Sequence, residues 1–319
     1  MADWHTMTAE GVDGPSNIQY PTSEIHWHRP VMVEEVLRAL HPRPGAVIVD
    51  GTTGTGGHSL ALLPHLLPDG IVIAADRDRS SLDLAQQRLA EFAPQVHFIH
   101  ANYRDLPHAL LQRGHALVDG ILLDLGMSSA QVDQAERGFS FNREGPLDMR
   151  MDCEQSLTAA SLVNTLSADE LAMLLRAFGE ERFAARIARA VTRARGEQRI
   201  ATTAQLARLV AHAVPPAARH GRLHPATRTF QALRIAVNDE LGALEEFLAH
   251  APEVLKPQGR LAILTYHSLE DRAVKQAFAQ GAREGLWMLL TKKPVCPAEA
   301  EIAGNPRARS AKLRAVERT

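Results

Sequence analysis

The glycine-rich segment that begins at Asp50 constrains the fold of this chain more than any other feature. A short apolar run, Ala46-Val-Ile-Val-Asp50, leads into Gly51-Thr-Thr-Gly-Thr-Gly-Gly-His58, and a helical pattern follows from Ser59 to Leu67. Glycines let the backbone approach a ligand closely, and the N-terminus of the helix beyond them favours negative charge. A buried strand, a glycine turn and a helix in this order therefore predict a site for a nucleotide-like ligand.

Short apolar runs alternate with helical patterns in the first part of the chain, and strands return near its end. Helices are predicted at 31–40, 59–67 and 80–92. The apolar runs predict strands at 46–50, 71–76, 96–100, 118–124, 260–266, 287–290 and 311–316. Such runs separated by helices are typical of a parallel sheet covered on both faces. We therefore predict an α/β fold with a doubly wound, Rossmann-like sheet.

The alternation stops after Asp124, and only helical patterns follow between about Glu136 and Thr229. One of them starts with a capping box, Ser167-Ala-Asp-Glu170. We predict one α/β domain, at 25–135 and 230–319, that is interrupted by an all-helical insert at 136–229. The polar residues 1–24 are expected to be a disordered N-terminal extension.

The composition of the 319 residues is that of a soluble globular protein, with 45% hydrophobic and 23% charged residues. No apolar run approaches the roughly 18 residues that a membrane span needs, so no membrane partner is expected. The start of the chain does not have the pattern of a secretory signal. Two cysteines are too few for a disulfide framework, which favours the reducing cytoplasm.

The glycine loop fits S-adenosylmethionine better than other nucleotide ligands. His58 stands where a P-loop would have lysine. Asp76 ends the second predicted strand, where it can accept hydrogen bonds from ribose hydroxyls, a feature shared with dehydrogenases that bind NAD. A dehydrogenase is therefore the alternative, but the glycine spacing matches Asp-x-x-x-Gly-x-Gly better than G-x-G-x-x-G. This spacing predicts S-adenosylmethionine as the cofactor and a class I methyltransferase sheet.

The end of the fourth predicted strand is the candidate acceptor site. Asp124 closes an apolar strand and precedes Gly126, which permits a sharp turn beside the methyl group of the cofactor. The other interpretation is that Asp124 only caps this turn. A serine nucleophile in Gly126-Met-Ser-Ser-Ala130 is disfavoured because the final glycine of the elbow motif is missing. Neither Cys153 nor Cys296 follows this strand, so a thiolate mechanism is also disfavoured.

The insert is basic in a chain whose net charge is only −2. Between Arg137 and Phe230 there are 14 arginines and nine acidic residues, which gives +5 and leaves −7 for the rest. Four of the arginines follow helical spacing and share one helix face, namely Arg182, Arg186, Arg189 and Arg193. The opposite face is apolar and is expected to pack inward, with Phe183, Ile187 and Val191. A solvated face is the alternative, but arginine binds phosphate well, and we predict an RNA-binding surface.

Eight longer motifs are spread over nearly the whole chain: Asp50-Gly-Thr with Gly56-Gly-His58, Gly120-Ile-Leu-Leu-Asp-Leu-Gly126, Glu136-Arg-Gly-Phe-Ser-Phe141, Gly145-Pro-Leu-Asp-Met-Arg-Met-Asp152, Gly179-Glu-Glu-Arg-Phe183, His224-Pro-Ala-Thr-Arg-Thr-Phe-Gln231, His267-Ser-Leu-Glu-Asp-Arg272 and Asn305-Pro-Arg-Ala-Arg-Ser310. With these motifs the chain resembles, from about His28 to Arg318, the bacterial small-subunit ribosomal RNA cytosine-N4 methyltransferases of the RsmH/MraW type.

The resemblance implies methyl transfer to the exocyclic N4 amine of a cytosine in 16S rRNA, at the decoding centre of the small ribosomal subunit. It also implies cofactor contacts from Gly56, Gly57, His58, Asp76, Tyr103, Asp124 and Gln131. Tyr103 stands where the family commonly has phenylalanine, and the segment between Gly285 and Asn305 is shorter than in some members.

The chemistry needs no metal and no thiol. The N4 amine is a weak nucleophile, so a group must accept its proton or a hydrogen bond, and Asp124 is our candidate. His267 is a second catalytic candidate, and His267 and Asp148 are candidates for the RNA-facing wall. We expect a cytoplasmic enzyme and leave a homodimer open. The alternative from another class is a non-catalytic RNA-binding or assembly factor with a methyltransferase fold, which the intact glycine loop, Asp76 and Asp124 disfavour.

Reversing two charges of the predicted stripe, with Arg186→Glu and Arg189→Glu together, should weaken binding to rRNA or to the small subunit. The loss should be largest at low salt, because phosphate contacts release counterions. Equilibrium binding over a salt series checks this. A variant that loses thermal stability but binds RNA as before would show that the stripe is only structural.

Overall fold

The structure is a computed structural model that describes residues 29–219 and 224–319. The expected N-terminal extension at 1–24 lies outside the described residues. The described chain forms one seven-stranded sheet, whose strands are β1 (Val47–Asp50), β2 (Ile71–Asp76), β3 (Val96–His100), β4 (Val118–Asp124), β5 (Leu255–Thr265), β6 (Trp287–Leu289) and β7 (Lys312–Arg318). All seven predicted strands are present, with bounds that differ by a few residues. The largest difference is at β5, which begins at Leu255.

The strands lie side by side in the order β3-β2-β1-β4-β5-β7-β6. The first five of these strands are parallel, whereas β7 runs antiparallel to both β5 and β6. The strand order reverses between β1 and β4. At such a switch point the connections that follow the two neighbouring strands run to opposite faces of the sheet, and a crevice forms between them. The sheet therefore has the doubly wound topology that the alternating pattern predicted.

Fourteen α-helices are assigned in the described residues. They are α1 (Val33–Leu40), α2 (Gly57–Leu66), α3 (Arg79–Arg88), α4 (Leu106–Gln112), α5 (Ser129–Asp133), α6 (Ala159–Thr165), α7 (Ala168–Gly179), α8 (Ala184–Glu197), α9 (Thr203–Ala213), α10 (Pro216–Arg219), α11 (Thr227–Asn238), α12 (Glu240–Val254), α13 (Ser268–Arg283) and α14 (Glu299–Gly304). Short 3-10 helices span Ala90–Gln95, Tyr103–Asp105, Ala135–Arg137 and Pro306–Ser310. None of the helices in this part of the chain combines the length and apolar composition that a membrane span needs.

Two hydrophobic layers cover the sheet. Side chains alternate between the faces of a strand, so Ile48 packs in the layer with α1 and α2, while Val49 packs in the layer with α4, α12 and α13. On β4, Leu122 packs in the same layer as Ile48, and Leu123 packs in the same layer as Val49. Both faces are therefore buried, as the continuous apolar strands predicted.

The helices between β4 and α12 build a hydrophobic cluster of their own, from Phe139 to Val237. The capping box at the start of α7 is present, with the Ser167 hydroxyl accepting from the Glu170 amide. The predicted boundary between 229 and 230 falls inside α11. Because the buried Phe230 and Leu233 belong to this cluster, the packing moves the boundary to about Asn238.

Buried polar contacts join this helical insert to the strand ends of the sheet. The Arg137 guanidinium pairs with Asp78, just beyond β2, at 2.9 Å, and it donates to the backbone carbonyls of Arg150 and Met151. The Asn238 carbonyl accepts from the Arg77 guanidinium, just beyond β2, at 2.9 Å. Burial of these groups makes the contacts costly to break one at a time. The insert is thus held against the end of β2.

Gly138 lies where the chain enters the insert and should tolerate no side chain. It has φ +71°, and a Cβ atom there would lie 2.2 Å from the carbonyl oxygen of Pro146, a backbone atom. Gly114 has a similar φ of +80° but open space around the Cβ position. We expect Gly114→Ala to cost about 1 kcal/mol of unfolding free energy and Gly138→Ala about 2–4 kcal/mol, since only the second adds a clash to the left-handed conformation.

Urea unfolding of both variants measures this difference. Equal losses for the two glycines would show that the backbone of Pro146 moves aside at little cost.

Candidate active site

A cavity of about 430 Å³ opens at the carboxyl ends of β1, β2 and β4. Residues from the glycine loop, the end of β2 and the turn after β4 line it, together with residues of the insert and of the segment before β7. This is the crevice at the switch point, where doubly wound sheets bind their ligands. The volume of this cavity is in the range of sites that bind small molecules.

The glycine loop is shaped by two residues in the left-handed conformation. Gly54 has φ +52° and lines the cavity, and its amide donates to the Asp76 carboxylate at 2.7 Å. Gly56 has φ +80° and lies against Leu89 rather than in the cavity wall. Gly57 does line the cavity, at the first turn of α2. Of these two predicted glycines, Gly56 therefore shapes the loop while Gly57 faces the cavity.

Asp50 lies beneath the loop, fully buried. Its carboxylate accepts from the Ser59 hydroxyl at 2.7 Å, which ties the end of β1 to the first turn of α2. Burial raises the pKa of this carboxyl, although the nearby His58 and the hydrogen bonds act in the opposite direction. Asp50 thus holds the loop in place from below.

Asp76 ends β2 and lines the cavity, as the sequence predicted. One carboxylate oxygen accepts from the Gly54 amide and the other from the Asp78 amide, at 2.7 and 2.8 Å. Burial raises the pKa of Asp76 to about 6 despite these two hydrogen bonds. Each carboxylate oxygen has a further lone pair, so the side chain keeps the capacity to accept from two vicinal hydroxyls.

His58 and Asp124 meet at the centre of the cavity wall. The Nε2 atom of His58 lies 3.4 Å from a carboxylate oxygen of Asp124. The imidazole is buried, and neither ring nitrogen has a hydrogen-bond partner among the described residues. A buried ring with two unused nitrogens is costly unless a ligand or water pairs with it. The geometry therefore marks His58 as a ligand-facing residue.

The orientation of the Asp124 carboxylate is set by its neighbours. One oxygen accepts from the Gly126 amide at 3.2 Å, and the Asp124 amide donates to the Thr52 hydroxyl at 2.6 Å. The Tyr266 hydroxyl also hydrogen-bonds this carboxylate. The pKa of Tyr266 is raised well above its usual range, mainly because the hydroxyl is buried and also because Asp124 is negatively charged. A side chain at 126 would meet the Tyr266 ring at 2.8 Å, so glycine is needed there.

Tyr103 and Gln131 both line the cavity, but their polar groups are engaged within the protein. The Tyr103 hydroxyl donates to the carbonyl of Glu240 at 3.0 Å, so the ring edge rather than the hydroxyl is left for a ligand. The Gln131 amide donates to Asp78 at 2.9 Å and accepts from the Ser128 amide at 3.0 Å. Gln131 thus positions the turn after β4 at the edge of the cavity.

His267 is not among the residues that line the cavity, and its role as a catalytic candidate stays a prediction. Its Nδ1 atom accepts from the Glu270 amide at 3.4 Å and caps α13, while Nε2 lies 3.0 Å from the Glu270 carboxylate. The reason is the capping box formed by His267 and Glu270, which draws the imidazole toward the helix. Asp148 is also outside the wall, since Arg150 holds it with two hydrogen bonds.

Sequence analysis missed a charged group on the wall opposite the glycine loop. Arg234 of α11 donates twice to the Glu240 carboxylate, at 2.7 and 2.8 Å, and lies 4.0 Å from Glu270. All three residues line the cavity. Ligand atoms of Glu240, His267 and Glu270 lie within 4.8 Å of one another, but the guanidinium already pairs with Glu240. The motif from His267 to Arg272 contains Glu270, whereas no sequence pattern pointed to Arg234 or Glu240.

The predicted arginine stripe lies on the surface of the insert. Three of its members are on α8 and Arg182 precedes that helix; all four are exposed, namely Arg182, Arg186, Arg189 and Arg193. Ile187 and Val191 on the other face are buried, and Phe183 is half-buried against the insert core. The stripe lies outside the cavity wall.

The strand order, the acids after β1, β2 and β4 and the glycine loop together define a methyltransferase of the class I, S-adenosylmethionine-dependent type. The model of the MraW methylase family matches residues 25–319. The chain therefore belongs to the MraW methylase family.

Curated relatives match over nearly their whole length. A ribosomal RNA small subunit methyltransferase H from Syntrophotalea carbinolica is 49% identical over 313 residues, which cover 93% of this chain and 99% of the relative. A protein of the same name from Nitratidesulfovibrio vulgaris is 50% identical over 308 residues, which cover 91% of this chain and 85% of the relative. The similarity thus includes both the sheet and the insert.

Solved structures were also found to be similar over most of the chain. TrmN from Thermus thermophilus is 18% identical with a TM-score of 0.44, covering 90% of this chain and 48% of that one. A putative rRNA methylase from Clostridium thermocellum is 10% identical with a TM-score of 0.45, and the match covers 90% of this chain and 95% of that one.

The cavity residues fit the chemical groups of S-adenosylmethionine. The Asp76 carboxylate suits the ribose hydroxyls, the apolar edge of Tyr103 suits the adenine ring, and the Asp124 carboxylate suits the cationic sulfonium. The unpartnered nitrogens of His58 provide a polar contact that nothing in the described chain satisfies. The first turn of α2, at Gly57, offers backbone amides to a carboxylate.

Affinity for S-adenosylmethionine should fall as the pH drops through about 6. The raised pKa of Asp76 means that the free protein takes up a proton there, and a protonated carboxyl accepts poorly from two ribose hydroxyls because one of its oxygens has become a donor. Binding at pH 5 must therefore expel a proton, which lowers the affinity about tenfold relative to pH 7.5. Calorimetry at both pH values measures this loss.

Asp76→Asn should remove most of the pH dependence and weaken binding by about 1–3 kcal/mol at pH 7.5. Asp83→Asn, at an exposed acid of α3, is the matched control and should behave as the wild type. A variant at Asp76 with unchanged affinity would show that this residue does not bind the ribose.

Proposed function

We propose that this protein transfers a methyl group from S-adenosylmethionine to the exocyclic N4 amine of a cytosine in 16S rRNA. The observation that carries the proposal is the shared cavity wall, in which Asp76 and the glycine loop stand beside Asp124 at the end of β4. The curated relatives named ribosomal RNA small subunit methyltransferase H support the choice of RNA. The N4 atom rests on the family resemblance of the motifs.

The cofactor supplies an electrophilic methyl group on its sulfonium. The protein contributes a fixed geometry, because Asp76, Gly54 and Gly57 hold one side of the cavity while Asp124 marks the acceptor end. Holding both reactants in line removes much of the entropic cost of a bimolecular step. The base must leave its stack to enter a cavity at the sheet edge, and this favours a nucleotide that is unpaired or easily unstacked.

Asp124 is the group that we propose as acceptor for the amine hydrogen. The lone pair of a cytosine amine is delocalised into the ring, so a carboxylate that accepts from the N–H makes the nitrogen more nucleophilic. The Gly126 amide and the Tyr266 hydroxyl fix the rotation of the Asp124 side chain. His58, 3.4 Å from the other carboxylate oxygen, can share the proton that the amine loses.

The helical insert is proposed as the RNA-recognition domain. Its four stripe arginines are exposed on the face of α8 opposite the buried Ile187 and Val191. Guanidinium groups on a rigid helix can follow a phosphate backbone without reading its bases. We further propose that the substrate cytosine lies at the decoding centre and is reached in the cytoplasm, within the small subunit. A homodimer stays a prediction that sedimentation can test.

Asp124→Ala should abolish methyl transfer, and Asp124→Asn should reduce it by at least 100-fold, since an amide cannot accept a proton. Both variants should keep their fold and should still bind the cofactor through Asp76 and the glycine loop, but more weakly, because the carboxylate charge that suits the sulfonium is lost; transfer is therefore compared at saturating cofactor. Incorporation of labelled methyl into rRNA measures transfer, and thermal unfolding controls for folding. Normal turnover in either variant would overturn the role of Asp124.

Mass spectrometry of rRNA nucleosides tests the function itself. Cells without this protein should lack one N4-methylated cytidine, and the wild-type gene should restore it while the Asp124→Ala gene should not. Identical nucleosides in all three strains would refute the proposal.

A further inference from the structure

Two arginines from opposite ends of the described chain lie in the solvent-exposed part of the cavity wall. Arg29 lies just before α1, and Arg307 lies in the 3-10 helix before β7; both line the cavity and are exposed. Neither belongs to the arginine stripe of the insert, and neither takes part in the contacts of Asp76 or Asp124. We call them the mouth arginines.

Contacts within the protein hold the mouth arginines in place. The Asn305 side chain donates to the Arg29 carbonyl at 3.2 Å, and the Met32 amide donates to the Glu301 carboxylate at 2.6 Å. Both contacts join the segment before β7 to the segment before α1. Ala308, next to Arg307, is fully buried in the layer that covers the sheet. The two arginines therefore stand on a packed base at the rim of the cavity.

The charge at this rim is only partly neutralised. Arg307 pairs with Asp133 at 3.2 Å, in a bridge whose side chains are 38% and 44% exposed. The Arg143 guanidinium also reaches this point, since it donates to the carbonyl of Asp133. Arg29 has no ion-pair partner within residues 29–219 and 224–319. An exposed bridge of this kind is weak and opens readily toward a stronger anion.

We propose that the mouth arginines bind the phosphodiester backbone on either side of the target nucleotide. This inference rests on the proposed function, in which a base enters the cavity. A base that leaves its stack draws its own phosphates to the mouth of the pocket, whatever the neighbouring sequence is. Arginine is suited to this contact because its planar fork matches two phosphate oxygens. The stripe arginines lie outside the cavity wall and would hold the RNA farther away.

The experiment is a salt series of equilibrium binding to a transcribed RNA fragment that contains the decoding region of 16S rRNA. The double variant Arg29→Ala and Arg307→Ala should bind more weakly, and the slope of log affinity against log salt should fall by about two, one for each phosphate contact. Arg307→Lys should keep the slope, because the charge remains. Thermal unfolding shows whether the variants are folded.

Arg309→Ala is the matched control. Arg309 lies two residues beyond Arg307 in the same 3-10 helix and is exposed, but it is not part of the cavity wall. It is compared with the single variant Arg307→Ala, which removes the same one charge and should lower the slope by about one, whereas Arg309→Ala should change the slope by less than about 0.5. An equal effect at Arg307 and Arg309 would refute the proposal, since it would show a diffuse field rather than a contact.

Calorimetry with S-adenosylmethionine separates the RNA from the cofactor as the anion. Unchanged cofactor affinity in the double variant is expected. A cofactor affinity that falls while the RNA slope stays constant would overturn the proposal and assign the mouth arginines to the cofactor carboxylate. If the wild type methylates no rRNA, the proposed function fails, but the salt slope, measured without cofactor, still decides whether these arginines contact phosphates.

Discussion

The parallel pairing of β1 and β4 is the constraint on which the site depends. Asp50 pairs in register with Leu122, so β4 continues two residues farther and places Asp124 beyond the end of β1. The Gly51 amide donates to the Leu122 carbonyl, and a side chain at 51 would meet Leu123 at 2.6 Å. Because the two strands lie so close, the glycine loop and Asp124 share one crevice, and every other part of the site is arranged around it.

The insert is connected to the sheet at a point where it can influence this crevice. It leaves the sheet after β4 and returns before β5, and its buried contacts reach Asp78 and Arg77 at the end of β2. A buried pair such as Arg137 and Asp78 contributes little net stability, but losing one partner is costly. Its main effect is therefore to fix orientation. The surface of the insert that we propose for RNA recognition is thereby held in a fixed position relative to the glycine loop.

The fold could be predicted because its determinants are local. Apolar runs, glycine turns and the capping box at Ser167 act within a few residues, and so all seven strands were found from the pattern. The end of the insert was missed because α11 changes partners along its length: Phe230 packs in the insert core, while the Asn238 carbonyl accepts from Arg77 just beyond β2. No periodicity within a single helix reveals such a change.

Within the site, the residues that follow parallel strands could be predicted, since strand ends meet at one edge of the sheet. The position of His267 outside the cavity wall could not be predicted, because it depends on Glu270, three residues away, which forms a capping box with the imidazole. Arg234 and Glu240 were missed because they become neighbours only through the packing of α11 and α12 over the crevice. For the same reason, Gln131 was predicted as a cofactor contact although Asp78 and Ser128 use its amide.

The distribution of charge around the cavity explains how a nearly neutral chain can hold a cation and a polyanion together. The inner wall carries carboxylates, including Asp76, Asp124 and Glu270, and these suit a sulfonium. Arg29 and Arg307 stand at the rim, where water weakens their attraction to the inner acids. An RNA strand at the mouth therefore meets positive charge, while the reacting amine meets a carboxylate. Because the negative charges lie deep in the cavity and the positive charges lie at its rim, the site can attract both the cationic cofactor and the anionic RNA. A cavity lined by charges of one sign would repel one of the two.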